Sequence, residues 1–202
     1  VGVNRGYLAN AEKVRVWGLE VDGNIQLNNH FSLYGNLAYT DGKYVSFKNA
    51  PLPLEETGKT VPAPTPTNPS ATKSVNFKDI SGGVLPGISK WVVSFGGEAV
   101  TGNKNSLLGQ QGEYFIATDV YYRSGFSSSP SPSQFLNVDA YYLINGRLGF
   151  RSNNGFSIFA WGRNLLNRNY FEQLLPAAGN AGHFAGVLGD PSNYGITLRY
   201  KL

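Results

Sequence analysis

The chain has 202 residues, a net charge of +4, only 15% charged residues, and neither Cys nor Met. The low charged fraction beside 13% aromatics and 25 Gly is unlike an ordinary soluble domain, where charged residues make up about 25%, and the lack of Cys excludes a disulfide framework or thiolate metal site. The small, scattered positive excess disfavours a nucleic-acid partner, and the absence of any run of about 18 apolar residues excludes a membrane-spanning helix, leaving a closed β-barrel as the structure that satisfies its backbone in lipid.

In chain order, the first nine residues end in no charged-then-apolar leader pattern, and the start at Val1 reads as a cut N-terminus. Period-two alternation then begins. Over 10–27, Trp17, Leu19, Val21, Ile25 and Leu27 oppose Gly18, Glu20, Asp22, Asn24 and Gln26. After a tight turn at Asn28-Asn29, the pattern repeats over 30–47, with Phe31, Leu33, Leu37 and Tyr39 on one face.

A long loop over about 48–88 carries Pro51, Pro53, Pro62, Pro64, Pro66 and Pro69, and its composition predicts an extended, mobile segment with local polyproline II character. Strands follow at about 89–101, 113–126, 136–151 and 156–171. The face of 156–171 is ambiguous, because Phe156 and Ile158 alternate with Phe159 and Trp161. A Ser/Pro-rich loop lies at about 126–135 and a Gly/Ala-rich one at about 172–191. The last strand sets Tyr194, Ile196, Leu198, Tyr200 and Leu202 against Gly195, Thr197, Arg199 and Lys201.

These runs exceed the ~5–6 residues common in globular sheets and suit tilted transmembrane strands. Short turns alternate with long loops, as periplasmic turns alternate with extracellular loops in outer-membrane barrels. Gly102–Gly112 is long for such a turn. The rule places Val1–Ala9 outside and the C-terminus in the periplasm, hence an odd count, seven strands. A bacterial single-chain barrel has an even number, so the chain reads as part of a larger barrel, with further strands on its N-terminal side.

Five motifs carry a resemblance to a family. Asn164-Leu165-Leu166-Asn167-Arg168-Asn169-Tyr170 is similar to the "NLF-D/N-x-x-Y" signature, placed on the penultimate strand, of TonB-dependent outer-membrane receptors. The segment from Gly189 through Gly195, Leu198 and Tyr200 to Leu202 resembles their "G-x-P-R-x-y-G-x-x-L-x-Y-x-F" ending. Val16-Trp17-Gly18-Leu19-Glu20, Leu37-Ala38-Tyr39-Thr40-Asp41-Gly42-Lys43-Tyr44 and Leu85-Pro86-Gly87-Ile88-Ser89-Lys90-Trp91 resemble three further family strands, in the family's order. Ser192, Ser89 and Leu202 stand where the family has Arg, Pro and Phe.

The resemblance implies an all-β fold: about seven C-terminal strands of an antiparallel transmembrane barrel of about 22 strands, with residues 1–202 forming one barrel segment. It implies a lumen filled by an N-terminal plug not found in this sequence, and energy supplied by TonB pulling on that plug. The partners it implies are outer-membrane lipid, the plug and remaining strands, TonB, a small-molecule ligand such as a ferric siderophore, and the barrel-assembly machinery reading the C-terminal strand. The location is the bacterial outer membrane. A passive porin-like channel and a soluble β-sandwich binding module are the competing readings. A plug domain upstream would separate the first of these from the receptor, and detergent-free solubility would favour the second.

Lumen-facing Arg123, Arg147, Arg151, Tyr121 and Glu20 are the candidate contacts to ligand or plug, against a structural reading in which buried charges pair with one another. Asp22 and Asp119 share that face. Trp17, Tyr44, Phe47, Trp91, Tyr122, Tyr142 and Tyr170 read first as an interfacial girdle and second as ligand contacts. Gly58-Lys59-Thr60 lacks the remaining glycine of a phosphate loop, Glu55-Glu56 reads as a solvated pair, and His30 and His183 have no ligand spacing. No cofactor is expected. No nucleophile–base arrangement stands out, so an enzyme is not expected.

Overall fold

The computed structural model describes residues 10–130, 132–177 and 182–201. Seven long strands form one antiparallel sheet in sequence order: β1 (Lys13–Asn28), β2 (Phe31–Ser46), β3 (Trp91–Val100), β4 (Gln110–Arg123), β5 (Tyr141–Ser152), β6 (Phe156–Arg163) and β7 (Asn193–Tyr200). The short strand Asn105–Leu107 folds back on the start of β4, so the long 102–112 turn is a small hairpin and the misfit disappears. The seven-strand count agrees with the sequence expectation.

Cross-strand register settles the two faces. Leu33 pairs with Ile25 and Gly97, Phe95 with Val120, Ile116 with Leu148, and Leu148 with Ala160, which pairs with Ile196. These positions form one apolar face running through every strand. On β6 it is Ile158, Ala160 and Gly162 that join it, while Phe159, Trp161 and Arg163 join the polar face beside Thr197. Most of its large apolar side chains stay open, with Ile116 60%, Leu148 60% and Ile196 77% exposed, while Phe150 is buried. Thr118 is the one hydroxyl in the middle of this face, and it donates to the Asn145 carbonyl at 3.0 Å.

Aromatic rings cap the apolar face at both ends. Phe31 and Tyr39 lie eight residues apart on β2, as do Tyr114 and Tyr122 on β4 and Tyr142 and Phe150 on β5. Eight residues span about 27 Å along a strand, which at barrel tilt matches an apolar band about 25 Å tall between two aromatic girdles. Rings touch within each girdle: Trp17 lies 5.3 Å from Tyr39, Tyr39 4.7 Å from Trp91, and Tyr114 5.2 Å from Phe150.

The strand expected over 156–171 stops at Arg163. Asn164 and Asn167 both adopt φ 48°, a left-handed conformation that a strand excludes and that Asn tolerates better than most residues. The long loop after β2 departs from the expectation of an extended spacer. It contains a 3₁₀ turn (Leu54–Glu56) and two small ladders, Ala50–Pro51 with Phe77–Lys78 and Thr60–Pro62 with Thr72–Ser74. Tyr44, Phe47, Ala50 and Ile80 bury one another beneath it. Pro51 and Pro62 stand at the ends of these two ladders, where a missing N–H costs the pairing little. The Ser/Pro-rich loop closes with Phe126–Ser127 on Asn137–Val138, and the last loop is a hairpin of Phe171–Pro176 and Phe184–Leu188.

Candidate functional site on the polar face

All long loops leave the same end of the sheet, and they touch one another there. The Gln134 N–H donates to Glu55 Oε1 at 2.9 Å, the Gly87 N–H to the Ser127 carbonyl at 2.8 Å, and the Leu174 N–H to Ser128 Oγ at 3.2 Å. Phe135 and Phe184 rings meet at 5.0 Å. Three loops from distant parts of the chain thus form one connected cap.

Glu55 is the ionisable group in this connection. Burial alone would raise its carboxyl, but donation from its own N–H, the Ser133 hydroxyl and the Gln134 N–H, with Lys78 nearby, outweighs burial and holds it below the usual carboxylate range. A depressed carboxyl stabilises the folded arrangement above its unfolded pKa and loses that contribution as pH falls through the folded value. The loop contact is therefore expected to hold from neutral pH down to about pH 4 and to loosen below it. Hydrogen exchange at the amides of 134–138 would follow it, and Glu55→Gln is expected to exchange fast already at pH 7 and to lose the pH dependence. An unchanged Glu55→Gln profile would refute the link.

Beneath the cap, on the polar face, three tyrosines gather. Tyr141 stacks on Tyr170 at 4.3 Å with an interplanar angle of 27°, and Tyr121 stands 6.2 Å from Tyr141. Tyr141 and Tyr121 project from adjacent strands, while Tyr170 is brought over by the turn after β6. Tyr170 therefore belongs to this cluster and not to a girdle. Tyr44 and Phe47 likewise leave the girdle for the loop core, where their rings lie 5.1 Å apart. Trp17, Trp91, Tyr122 and Tyr142 keep girdle positions.

The candidate arginines divide by what holds them. Arg123 donates through Nε to Ser89 Oγ at 2.8 Å and through Nη2 to the Gly87 carbonyl at 3.0 Å, and its guanidinium lies 3.8 Å from the Phe126 ring centroid. It ties the bases of two loops, and Ser89, where the family has Pro, is one of the groups it holds. Arg151 is clamped at 2.6 Å by both Glu98 and Glu113. Arg147 makes only a 3.7 Å contact to Glu98 and its side chain stays 53% exposed. Glu20 and Asp22 lie exposed on the polar face of β1. An open polar groove runs between Tyr34, Asp119, Asn145, Arg147, Trp161 and Arg163. Of the arginines singled out from sequence, Arg147 is the one left free to meet a ligand or plug. The larger depression, on the opposite face, is lined by Leu33, Phe95, Ile116, Leu148 and Ile196. It is uncovered apolar sheet and brings no convergent polar groups.

The signature residues build the platform. Asn164 is buried and its side chain is fully hydrogen-bonded: its Nδ2 donates to the Arg168 and Asp190 carbonyls at 2.9 and 3.0 Å, and its Oδ1 accepts from the Arg168 N–H at 2.8 Å. Its own N–H donates to Asn145 Oδ1 at 3.0 Å. The Leu165 N–H donates to the Ile144 carbonyl at 2.8 Å, and its side chain crosses to the apolar face over Gly146 and Gly162. A Cβ at Gly162 would meet Leu165 Cδ2 at 2.5 Å. Tyr170 packs against Gly189, where a Cβ would run into its ring. Gly195 and Tyr200 lie on opposite faces of β7, with Gly195 opposite Trp161 and Tyr200 opposite Phe156; Leu202 is outside the described residues.

Among the described residues no group of three or more His, Asp or Glu side chains is arranged to hold a metal ion. A family model described as "TonB dependent receptor-like, beta-barrel" matches residues 1–165. A comparison with curated proteins finds no match.

Proposed function

Since the chain belongs to the TonB-dependent receptor β-barrel family, a family of transporters and not of enzymes, we propose that it forms wall and loops of an outer-membrane receptor importing a scarce ligand, a ferric siderophore first, by coupling to TonB and the proton-motive force. The observation carrying this reading is the two-faced sheet: an apolar band between two girdles on one side, and on the other a polar wall whose loop end holds stacked tyrosines. Hydrocarbon meets the first face. The second faces the lumen, where a plug and an incoming ligand would contact Arg147 and the groove around it.

Ligand meets the Tyr121, Tyr141 and Tyr170 cluster first, since it lies directly under the loops. Rings at such positions offer broad, rigid contact at little entropic cost. Uptake of a labelled ferric siderophore by cells carrying the full-length receptor is expected to stop when an uncoupler removes the proton gradient. Tyr141→Ala is expected to weaken ligand binding about fivefold to tenfold. Uptake indifferent to the uncoupler would replace this reading with a passive channel, and energised uptake of a different chelate would change only the ligand.

A further inference from the structure

One row of the polar face runs from β2 toward the turn that carries Tyr170. Tyr34 on β2 is opposite Gly96 on β3, Gly96 opposite Asp119 on β4, and Asp119 opposite Asn145 on β5. A Cβ at Gly96 would lie 2.6 Å from Tyr34 Cζ, so this glycine lets the Tyr34 ring lie across β3. Asp119 and Asn145 line the open polar groove together with Arg147. Neither Asp119 nor Asn145 falls in any of the five motifs.

Asn145 Nδ2 donates to Asp119 Oδ2 at 2.6 Å, and Asn145 Oδ1 accepts from the Asn164 N–H at 3.0 Å. An amide presents donors at one end and an acceptor at the other, whereas an ionised carboxylate only accepts. Asp119 therefore fixes which way the amide points, nitrogen to the carboxylate and oxygen to the turn. Turned the other way, the amide would set its NH2 against the Asn164 N–H and its oxygen against the carboxylate. A hydrogen bond to a charged acceptor is about twice as strong as a neutral one, so the orientation is held from the Asp119 side. The bonds continue from the Asn164 side chain to the Arg168 backbone. Arg168 stands two residues before Tyr170, whose ring stacks on Tyr141.

We propose that Asp119 is a positioning residue for the tyrosine cluster: through the Asn145 amide it sets the Asn164 turn, and through that turn the stacking of Tyr170 on Tyr141. The relay joins the polar groove to the platform under the loops, so a cation that enters the groove and draws Asp119 away from Asn145 loosens the platform. A pair that merely satisfies two polar groups on the wall would have no effect beyond Asn145. That the platform meets ligand rests on the receptor reading above, whereas its positioning by Asp119 does not.

Full-length receptor in detergent would be followed by hydrogen exchange at the amides of 164–170 and by the fluorine resonance of a fluorotyrosine placed at position 170. Neither readout needs a ligand. Asp119→Leu keeps the shape and removes the acceptor, and is expected to raise exchange there about tenfold and to move the resonance toward its position in Tyr141→Ala. Asp119→Asn keeps an acceptor and is expected to stay within about twofold of wild type. Asn145→Asp sets two carboxylates face to face and is expected to exchange at least as fast as Asp119→Leu. Adding Asp119→Asn to it restores a donor and an acceptor with their roles exchanged and the charge unchanged, and recovery to within about twofold of wild type is expected. Asp119→Leu and the exchanged pair carry the test where Asn145→Asp does not assemble. Wild-type exchange and resonance in Asp119→Leu would overturn the proposal, as would an exchanged pair that stays as fast as Asp119→Leu. Uptake indifferent to an uncoupler would sink the receptor reading and leave both readouts as they stand.

Discussion

Leu148→Arg is expected to destabilise the membrane-embedded receptor by about 1–2 kcal/mol, because a cation on the lipid face costs about 2–4 kcal/mol at mid-depth and about 0–1 kcal/mol near the interfaces, and Leu148 lies between the two. Leu148 lies two residues inside Phe150 of the lower girdle and six from Tyr142 of the upper one, opposite Ile116 and Ala160. No carboxylate shares its face at that level, so the guanidinium would have to reach for the interface. Asn36→Arg is the matched control. Asn36 is exposed on the polar face, directly opposite Asp22, and its replacement is expected to change stability by less than about 0.5 kcal/mol. Both would be measured by denaturant unfolding of the full-length receptor in lipid vesicles. A neutral Leu148→Arg would mean that hydrocarbon does not touch this face.

The second large effect concerns the turn that follows β6. Asn164→Ala is expected to cost about 3 kcal/mol. It removes the side chain's hydrogen bonds to the Arg168 N–H and to the carbonyls of Arg168 and Asp190, each worth about 0.5 kcal/mol where, as at these exposed residues, water can take the partner's place, and sets Ala in a left-handed conformation that costs about 1–2 kcal/mol more. Asn164→Gly removes the same hydrogen bonds but not the backbone freedom, so it is expected to fall between wild type and Ala. The loss also has a functional face. Asn164 positions the segment that carries Tyr170 onto Tyr141, so ligand affinity is expected to fall with stability, and the tyrosine contact is expected to loosen even where the barrel still assembles. Identical stabilities for Ala, Gly and wild type would show that the turn does not depend on this side chain.

These two experiments probe different levels of information in the chain. The face on which Leu148 lies is readable from residues 142–151 alone, since alternation within one strand assigns each side chain to a side. The same logic gave the strand number, the short and long connections and the placement of Glu20, Tyr121, Arg123, Arg147 and Arg151 on the polar face. It failed on β6, where apolar residues occupy both sides: Phe159 and Trp161 are large and apolar yet face the lumen, Trp161 donating to Thr197 at 3.1 Å. Hydrophobicity cannot choose a face when the polar wall also uses rings, and only pairing with β5 and β7 chose it.

The candidate site was legible as a set of residues but not as an arrangement. Arg123 was a sound candidate for ligand contact until the loop bases at Gly87 and Ser89 came within reach of its guanidinium. Arg151 was spent on Glu98, 53 residues earlier, and Arg147 was left over. Glu55 read as a solvated carboxylate because its partner, Gln134, lies 79 residues away. The tyrosine cluster joins residues of two adjacent strands to one from a turn, and no local pattern announces that meeting.

Sequence by itself thus determined the all-β class, the seven strands, the two solvents they separate and the family to which their motifs point, because each of these rests on periodicity or on short contiguous patterns. Tertiary structure alone decided which arginine is free, where Tyr170 goes and how three loops join. Those outcomes depend on register between strands and on contacts between loops far apart in the chain, where side chains of identical composition become a clamp, a platform or an open charge according to which neighbour arrives.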